Sequence, residues 1–455
     1  MQRRISLILV LAIAFIFITS TLLFGHKLPE RYQQTFQKPL THNAHEAPPG
    51  SNIQFGSHGG SQQDASSPQP QQDAAAVHIT ITETGGSHDE VVAALVHSFG
   101  SQPHAVIDLY QLLPRYRITD IMAGFTLTNP LPRPRGPQEF IDHGVTKRRP
   151  DILVAGTCEL DIIKFKDQLT TLLAARKTYL YCVVHHADHW AGEKLESAIR
   201  PWVEAGMVDF LTLSPHTGEF LKTQTISKWK TTAISTIRHF VPLFPVPLPA
   251  APSGHGNDKE ELSFGLQGDY DPTRRDYKSI FVRLGTFLDA ASAFSESSGE
   301  ESGNRNVTMH LLGHGTRPEV PEMVKDHVKF DEQLNYFQFY SIISRTFALL
   351  PAFASNEYLD RKASSSVPAA LIGGVPLVAT QAVLNAYSYI DKEVVWLQGD
   401  KESDLDVVGR ILKMGPKERR KKKELVRRKC ATIVNQNIKT VEIWLEQAFT
   451  KIKKA

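Results

Sequence analysis

The sequence predicts an α/β protein with two domains, carried behind an amino-terminal membrane anchor and a flexible stalk. Three observations lead to this expectation: a long uncharged apolar run at the start, a polar low-complexity segment behind it, and short apolar runs that alternate with helical stretches. At 455 residues the chain is long enough for two domains and additional segments. Its 51 basic and 48 acidic residues nearly balance, so nucleic acid is not expected as a partner.

The first segment, residues 1–24, contains the predicted transmembrane anchor. Arg3 and Arg4 precede an uncharged stretch that begins at Ile5 and ends at Phe24. At about 1.5 Å per residue, a helix of that length spans a hydrocarbon core of about 30 Å. Because the two arginines favour the cytoplasmic side, a single-pass type II protein of the Golgi or ER membrane with a lumenal head is expected. A cleaved signal peptide is the alternative.

Two segments are expected to lie outside the domains. Residues 25–76 are rich in Gln, Ser, Gly, Pro and His, and we expect them to form a disordered stalk. Residues 241–261 contain a cluster of prolines and are expected to link a first domain at 77–240 to a second at 262–455. Residues 417–429 are strongly basic, which is typical of a solvated helix face.

Each domain is expected to contain a parallel sheet covered on both faces, because its short apolar runs alternate with helices. In the first domain, Gly85 and Gly86 form a loop between a strand and a helix. The predicted apolar strands are 77–82, 151–155, 178–184 and 208–213 in the first domain, and 262–267, 307–312, 347–353 and 377–379 in the second.

Cys158 and Cys182 each lie in or beside a predicted buried strand. Three cysteines do not form a disulfide framework, so both are expected to be free thiols that pack as small apolar residues. Asn306 opens the N-glycosylation acceptor triplet of this chain.

Four stretches resemble the retaining glycosyltransferases of the GT-B fold, the group that includes glycogen synthases and mannosyltransferases. They are VDFLTLSPHTGEFL at 208–221, LSFGLQGDYDPTRRDYKSIFVRL at 262–284, VTMHLLGHGTRPEV at 307–320 and SSSVPAALIGGVPLVAT at 364–380. The resemblance implies two Rossmann-like domains that hold a nucleotide-sugar donor between them. A membrane-anchored enzyme would then transfer the sugar to a glycan, protein or lipid acceptor. A catalytically degenerate lumenal protein that binds glycans or acts as a scaffold is the alternative.

The resemblance also assigns donor-binding residues in the second domain. In the family an Arg and a Lys clamp the diphosphate, and the matching positions are Arg275 and Lys278, with Arg274 as an alternative. Fixed cations stabilise the charge on a leaving diphosphate, so no cofactor is expected and no divalent metal is required. The other donor-binding candidates are Gly268, His314, Glu357, Ser365, Gly373 and Gly374.

The chain departs from the family at two positions. At two positions where the resemblance leads one to expect a glutamate, this sequence has Lys362 and Ala369. Donor binding would then depend on Glu357 or on the serines at 364–366. Gly374 is expected to let the backbone approach the nucleotide closely.

His185 and His186 are the candidate catalytic residues, because they follow a buried strand at the edge where open α/β sheets bind ligands. The resemblance implies that one of them contacts the donor sugar and that the loop with Gly85 and Gly86 lies near the acceptor. His189 completes an H-H-x-x-H pattern, but zinc signatures add a further ligand, so no metal site is expected.

A D-x-D triplet at Asp269 and Asp271 is a second possibility for diphosphate binding. The same pattern holds a metal and a diphosphate in the other glycosyltransferase fold. That fold has one domain, and the proline-rich linker argues against it.

Overall fold

Two parallel sheets of six strands form the framework of the residues that the computed structural model describes, 76–249, 262–298 and 307–455. This confirms the prediction of two parallel α/β sheets. The first sheet consists of β1 (Val77–Glu83), β2 (Ala105–Gln111), β3 (Ile152–Ala155), β4 (Tyr179–Val184), β5 (Val208–Thr212) and β6 (Thr236–His239). The second consists of β7 (Ser263–Gln267), β8 (Thr308–Gly313), β9 (Val328–Glu332), β10 (Ala348–Leu350), β11 (Leu377–Ala379) and β12 (Val395–Leu397).

Several predictions concern residues outside these ranges. They are the anchor at 5–24, almost all of the stalk, the linker residues 250–261 and the glycosylation candidate Asn306. None of the helices in the described ranges is both long enough and apolar enough to cross a bilayer.

Strand order places a reversal in each sheet. The first sheet runs β2-β1-β3-β4-β5-β6, and the second runs β9-β8-β7-β10-β11-β12. The order therefore reverses between β1 and β3 in one sheet and between β7 and β10 in the other. Ligands of open α/β sheets bind beyond the carboxyl ends of the strands at such a reversal.

Helices connect the strands and cover both sheets. Around the first sheet they are α1 (Asp89–Gly100), α2 (Ile118–Ala123), α3 (Cys158–Lys164), α4 (Lys166–Ala175), α5 (Glu193–Glu204) and α6 (Pro215–Phe220). Those that follow are α7 (Tyr277–Ser298), α8 (Tyr336–Arg345), α9 (Glu357–Asp360), α10 (Ser366–Ile372), α11 (Gln381–Ala386), α12 (Asp404–Lys413) and α13 (Pro416–Lys454). Short helical turns lie at Pro137–Glu139, Phe140–Gly144, Ala187–Ala191, Leu221–Thr225, Ile226–Lys228 and Glu322–His327.

The strands that the sequence analysis missed are the edge strands. β2 and β6 border the first sheet, and β9 and β12 border the second, whereas the inner strands were all predicted. An edge strand has one neighbour instead of two, so it needs fewer apolar residues. β6 (TIRH) and β9 (VKFDE) are half-buried or exposed at most positions, which weakens the apolar signal.

Cys158 and Cys182 form a disulfide, so the prediction that both are free thiols is wrong. Cys182 lies in β4, and Cys158 begins α3 just after β3. β3 and β4 are paired neighbours, which brings the two α-carbons to 5.2 Å, within the range for a disulfide. The pairing depends on strand order and therefore could not be derived from the spacing of the cysteines.

The long helix α13 returns to the first sheet. The hydroxyl of Tyr181 in β4 donates to the carbonyl oxygen of Trp444 at 2.7 Å, and Gln102 donates to the carbonyl oxygen of Ile438 at 2.9 Å. The helix thus joins the two halves of the described chain. Its basic run is partly structural, since Lys423 binds the carbonyl oxygens of Ser344 and Thr346 at 2.5 and 3.0 Å.

Candidate functional site

Residues that follow strands of both sheets line one cleft of about 890 Å³. Pockets of a few hundred to about 1,000 Å³ are typical of sites for small-molecule ligands and cofactors. We call the side that belongs to the first sheet the histidine rim, defined as His88, Glu90, His185 and His186. The side that belongs to the second sheet is the arginine rim, defined as Asp269, Arg274, Arg275 and His314.

Glu159 holds the backbone of the histidine rim in place. One of its carboxylate oxygens accepts hydrogen bonds from the backbone N–H groups of His185 and His186, at 2.8 and 2.9 Å. The same oxygen lies 3.3 Å from the indole nitrogen of Trp190. Glu159 directly follows Cys158, so the disulfide ties this carboxylate to β4, the strand that carries the histidines. Main-chain bonds therefore position both rings at the cleft.

The rings of His88 and His185 stack with their centroids 3.7 Å apart. Nε2 of His185 lies 2.8 Å from the carbonyl oxygen of Gly156, and this nitrogen carries the hydrogen because a carbonyl only accepts. Burial, with a contribution from the neighbouring His185, lowers the pKa of His88 well below the usual histidine value. His88 is consequently neutral near pH 7.

Two carboxyl groups begin α1 beside these histidines. Burial raises the pKa of Glu90, whose side chain shares a hydrogen bond with Tyr336 from α8. Burial, together with the charge of Glu90, raises the pKa of Asp89 to about 7. Asp89 accepts hydrogen bonds from the side chain of Gln111 at 2.6 Å and the backbone of Arg115 at 3.0 Å. A carboxyl group with a pKa near 7 suits proton transfer at neutral pH.

Arg275 is a buried cation in the arginine rim. It is 4% exposed, and its guanidinium donates to the carbonyl oxygen of Gln267 at 3.0 and 3.2 Å and to the hydroxyl of Ser366 at 2.9 Å. The rings of Phe353 and Tyr358 each lie 5.6 Å from it. Within the described residues no carboxylate pairs with this side chain. Among the described residues, neutral dipoles and aromatic rings surround this charge, which favours an anion in the cleft.

Arg274 is the accessible cation of the pair, since its side chain is 46% exposed. It contacts Asp269 at 2.8 Å and donates to the hydroxyl of Tyr358 at 2.9 Å. The other oxygen of Asp269 lies 2.9 Å from Nδ1 of His314. The ion pair with Asp269 is exposed and therefore weak, so an anionic ligand can compete for Arg274.

The two aspartates of the D-x-D triplet have separate local partners. Asp269 binds Arg274 and His314, as described above. Asp271 accepts hydrogen bonds from the backbone and the hydroxyl of Thr273, at 2.8 and 2.7 Å. Both residues line the cleft.

The loop before α10 closes the arginine side. The hydroxyls of Ser365 and Ser366 donate to the side-chain oxygen of Gln267, at 3.3 and 3.0 Å. Gly268, which follows Gln267, has φ +132° and lines the cleft. A backbone in this conformation favours glycine.

Glu357 lies at the cleft with Lys362 and Ala369, the two positions where the resemblance leads one to expect glutamates. Its carboxylate contacts Lys362 at 2.7 Å and Arg361 at 2.5 Å. The hydrogen bond from Lys362, with further contributions from both cations, lowers the pKa of Glu357. The carboxylate of Glu357 is thus already paired in this region of the cleft.

Gly373 and Gly374 are not among the residues that line the cleft, so their part in donor binding stays a prediction. A β-carbon at Gly373 would collide with Ile343 of α8, and one at Gly374 would collide with Arg427 of α13. Gly374 also has φ +65°, where a side chain is strained. Because neither residue has a side chain, the turn before β11 packs closely against two helices.

Three other candidates also lie outside the lining residues of the cleft. Lys278 is exposed in the first turn of α7. Gly85 and Gly86 form the loop after β1, and the backbone N–H of Gly86 donates to Glu83 at 2.6 Å. The residues that follow them, Ser87 and His88, line the cleft instead.

The residues of the cleft lining that sequence analysis missed include His88, Glu90, Arg115 and Tyr336. The strand–Gly–Gly–helix pattern contained a usable signal for the first two, because it places the start of the helix at the carboxyl edge of the sheet. No local sequence pattern indicated that Tyr336 would face the cleft. It comes from α8, and its backbone N–H donates to the carbonyl oxygen of Tyr116 at 2.9 Å.

No protein-family model and no curated protein matches the sequence. Solved structures to which the chain is similar include Anabaena HepE in complex with UDP and glucose, at 12% identity and a TM-score of 0.48, over 82% of this chain and 99% of that one. They also include the lipopolysaccharide outer core galactosyltransferase WaaB, at 12% identity and a TM-score of 0.47, over 81% and 100%. A putative UDP-N-acetylglucosamine 2-epimerase from Listeria monocytogenes matches at 12% identity and a TM-score of 0.46, over 82% and 98%. Glycosyltransferases are thus among the matched structures, and the fold itself follows from the two sheets.

Proposed function

We propose that the protein is a membrane-anchored glycosyltransferase that moves a sugar from a nucleotide-sugar donor to a glycan, protein or lipid acceptor. The observation that carries the proposal is Arg275, a buried cation without a carboxylate partner among the described residues. It lies at the carboxyl end of β7, beside the strand reversal where α/β sheets bind ligands. An anionic diphosphate is a ligand that such a charge would stabilise.

In the proposed reaction the arginine rim binds the diphosphate of the donor. Arg274 is positioned to contact the diphosphate directly, while Arg275 supplies a fixed positive field behind it. Gly268, His314 and Ser365 line the same side and offer polar atoms to the donor. Cations that remain charged can stabilise the leaving diphosphate in the absence of a metal ion.

The histidine rim suits the sugar and the acceptor. His88 is neutral because of burial and can form a hydrogen bond with a hydroxyl group, while the raised pKa of Glu90 favours the form of its carboxyl group that carries a proton. His185 and His186 follow β4 at the cleft, as the sequence analysis expects of sugar-contacting residues.

We place the cleft in the lumen of the Golgi or the ER, with residues 5–24 as the anchor. The disulfide between Cys158 and Cys182 supports an oxidising compartment, since such bonds are rare in the reducing cytosol. A carboxyl-terminal tag on the full chain should resist protease in intact membrane vesicles. Digestion of the tag before the vesicles are opened would reject this topology.

A degenerate binding protein is the second candidate. Lys362 and Ala369 stand where the resemblance leads one to expect carboxylates, and Glu357 is neutralised by Lys362. This candidate predicts that a nucleotide or glycan binds without sugar transfer.

The test is calorimetric titration of the purified full chain in detergent with nucleoside diphosphates and nucleotide-sugars. Wild type should bind at least one of them, and Arg274→Ala should weaken binding by about tenfold or more, as expected for a lost charged hydrogen bond. Lys278→Ala is the matched control, because Lys278 is a nearby exposed cation outside the cleft lining. Binding of no member of the panel would overturn the proposal. Binding without turnover of the bound nucleotide-sugar, tested with a panel of glycan acceptors, would favour the degenerate protein.

A further inference from the structure

Three potential metal ligands meet in the loop that follows β4. His186, Asp188 and His189 lie in or beside the helical turn Ala187–Ala191, and each offers a ligand atom within 4.8 Å of the others. Sequence analysis considered the two histidines and found no third ligand. The turn supplies it, because it brings the side chain of Asp188 toward the same point.

Two of the three residues also carry a polar atom that lacks a partner among the described residues. Nδ1 of His186 and Oδ1 of Asp188 are both buried, and neither has a hydrogen-bond partner among the described residues. Buried polar atoms are almost always satisfied by protein, water or an ion. A cation between them would satisfy both.

The backbone around the cluster is fixed from two directions. Glu159 accepts the backbone N–H of His186 at 2.9 Å. From the other half of the chain, Lys362 forms a β-bridge with His186, and the carbonyl oxygen of Arg361 accepts the backbone N–H of Ala187 at 3.4 Å. A rigid backbone reduces the entropy that ligand residues lose when a metal binds.

One ring must turn for the cluster to close on an ion. The rings of His186 and His189 stack with centroids 4.5 Å apart and an angle of 7° between their planes. A metal lies in the plane of each imidazole that binds it, so two stacked rings, whose planes lie one above the other, do not share one ion. His189 is exposed, which leaves its side chain free to rotate while His186 and Asp188 stay in place.

We propose that His186, Asp188 and His189 bind one divalent transition-metal ion of the zinc class at the edge of the cleft. Two imidazoles and one carboxylate are the donor set of open zinc sites, in which water takes the fourth position. Imidazole nitrogen disfavours Mg²⁺ and Ca²⁺, which prefer oxygen ligands.

The neighbouring cations do not pair with the unpartnered oxygen of Asp188. Arg361 lies 3.4 Å from Oδ2 of Asp188, on the oxygen opposite the unpartnered one, and it also pairs with Glu357. Lys362 is paired with Glu357 at 2.7 Å. The proposal concerns metal binding alone and stands independently of sugar transfer.

The test is equilibrium dialysis of Zn²⁺ against the full chain purified in detergent and freed of metal. The chain contains 18 histidines, so weak additional binding is expected, and the measured quantity is the tightest site. His189→Ala and Asp188→Asn should each weaken that site by about tenfold or more. His143→Ala is the matched control, because His143 is an exposed histidine far along the chain from the cluster, and it should leave the tight site unchanged.

Cobalt provides a second readout. Co²⁺ bound to wild type should show visible absorption bands of four-coordinate cobalt, and these should be lost in His189→Ala and Asp188→Asn. Thermal melting in metal-free buffer shows whether each variant folds. Folded variants that keep the wild-type zinc affinity and cobalt spectrum would overturn the proposal, as would a wild-type protein that binds Mg²⁺ more tightly than Zn²⁺.

Discussion

The two rims of the cleft are built on the same kind of parallel sheet, yet they use charge in opposite ways. In the histidine rim, burial favours the neutral forms of His88 and Glu90. In the arginine rim, Arg274 keeps its charge at the surface, and Arg275 is a cation inside the protein. One side of the cleft is therefore suited to neutral hydroxyl groups, and the other to holding an anion.

The difference comes from what supports each rim. Glu159 holds the histidines through their backbone, so their rings remain at the cleft. Arg275 is held through its own guanidinium, which donates hydrogen bonds to Gln267 and Ser366. A side chain fixed in that way acts on a ligand through its field, while its neighbour Arg274 can make contact.

Removing Arg275 should have the largest effect. Arg275→Ala leaves the carbonyl oxygen of Gln267 and the hydroxyl of Ser366 without their donor, which should lower the free energy of unfolding by about 3 kcal/mol. Arg275→Lys keeps the charge but loses the fork of donors, so an intermediate loss is expected. Urea denaturation measures both.

Lys278→Ala is the control for this variant and should change stability by less than about 0.5 kcal/mol. A loss in Arg275→Ala no larger than in Lys278→Ala would show that the arginine rim does not depend on the buried cation.

A smaller effect is expected on the histidine side. Glu159→Ala removes the acceptor of two backbone N–H groups and should cost about 2 kcal/mol. Glu159→Gln retains an oxygen that can accept these bonds, so most of the stability should return. Thermal melting with and without a bound nucleotide reports both the fold and the cleft. Equal melting temperatures for the two variants would contradict the proposed role of the carboxylate.

A third prediction concerns the pH dependence of stability. Burial raises the pKa of Asp161 from 3.8 to about 7, although Thr84 and Thr82 donate to it at 2.6 and 3.0 Å. The native state therefore binds this proton more tightly than the unfolded state does. The stability it contributes is full below pH 3.8 and is lost as pH rises towards about 7.

Asp161→Asn should remove this contribution and flatten the pH dependence by up to about 1.4 kcal/mol per pH unit. Urea denaturation at several pH values measures the slope. Asp142→Asn, at an exposed aspartate, should leave the slope unchanged. A variant slope equal to that of wild type between pH 4 and 7 would show that Asp161 does not carry it.

Much of the fold was predictable because the inner strands of both sheets are buried on both faces. Runs such as ILVA at β3 and YLYCVV at β4 are apolar throughout, and that pattern is local. The histidines after β4 were found in the same way, since they directly follow such a strand, whereas Arg274 and Arg275 were assigned from the resemblance to glycosyltransferases. Edge strands such as β9 were not predicted. Such a strand has a neighbouring strand along one edge only, so more of its residues are exposed and can be polar.

The sequence by itself determined the parallel α/β framework, the inner strands and the ends of those strands where ligands bind. The tertiary structure alone decided which strands are neighbours, and so joined Cys158 to Cys182. It also decided that Gly373 and Gly374 pack against two helices and that Tyr336 forms a hydrogen bond with Glu90. These outcomes depend on contacts between residues far apart in the chain, whereas apolar runs and turn residues act on their immediate neighbours.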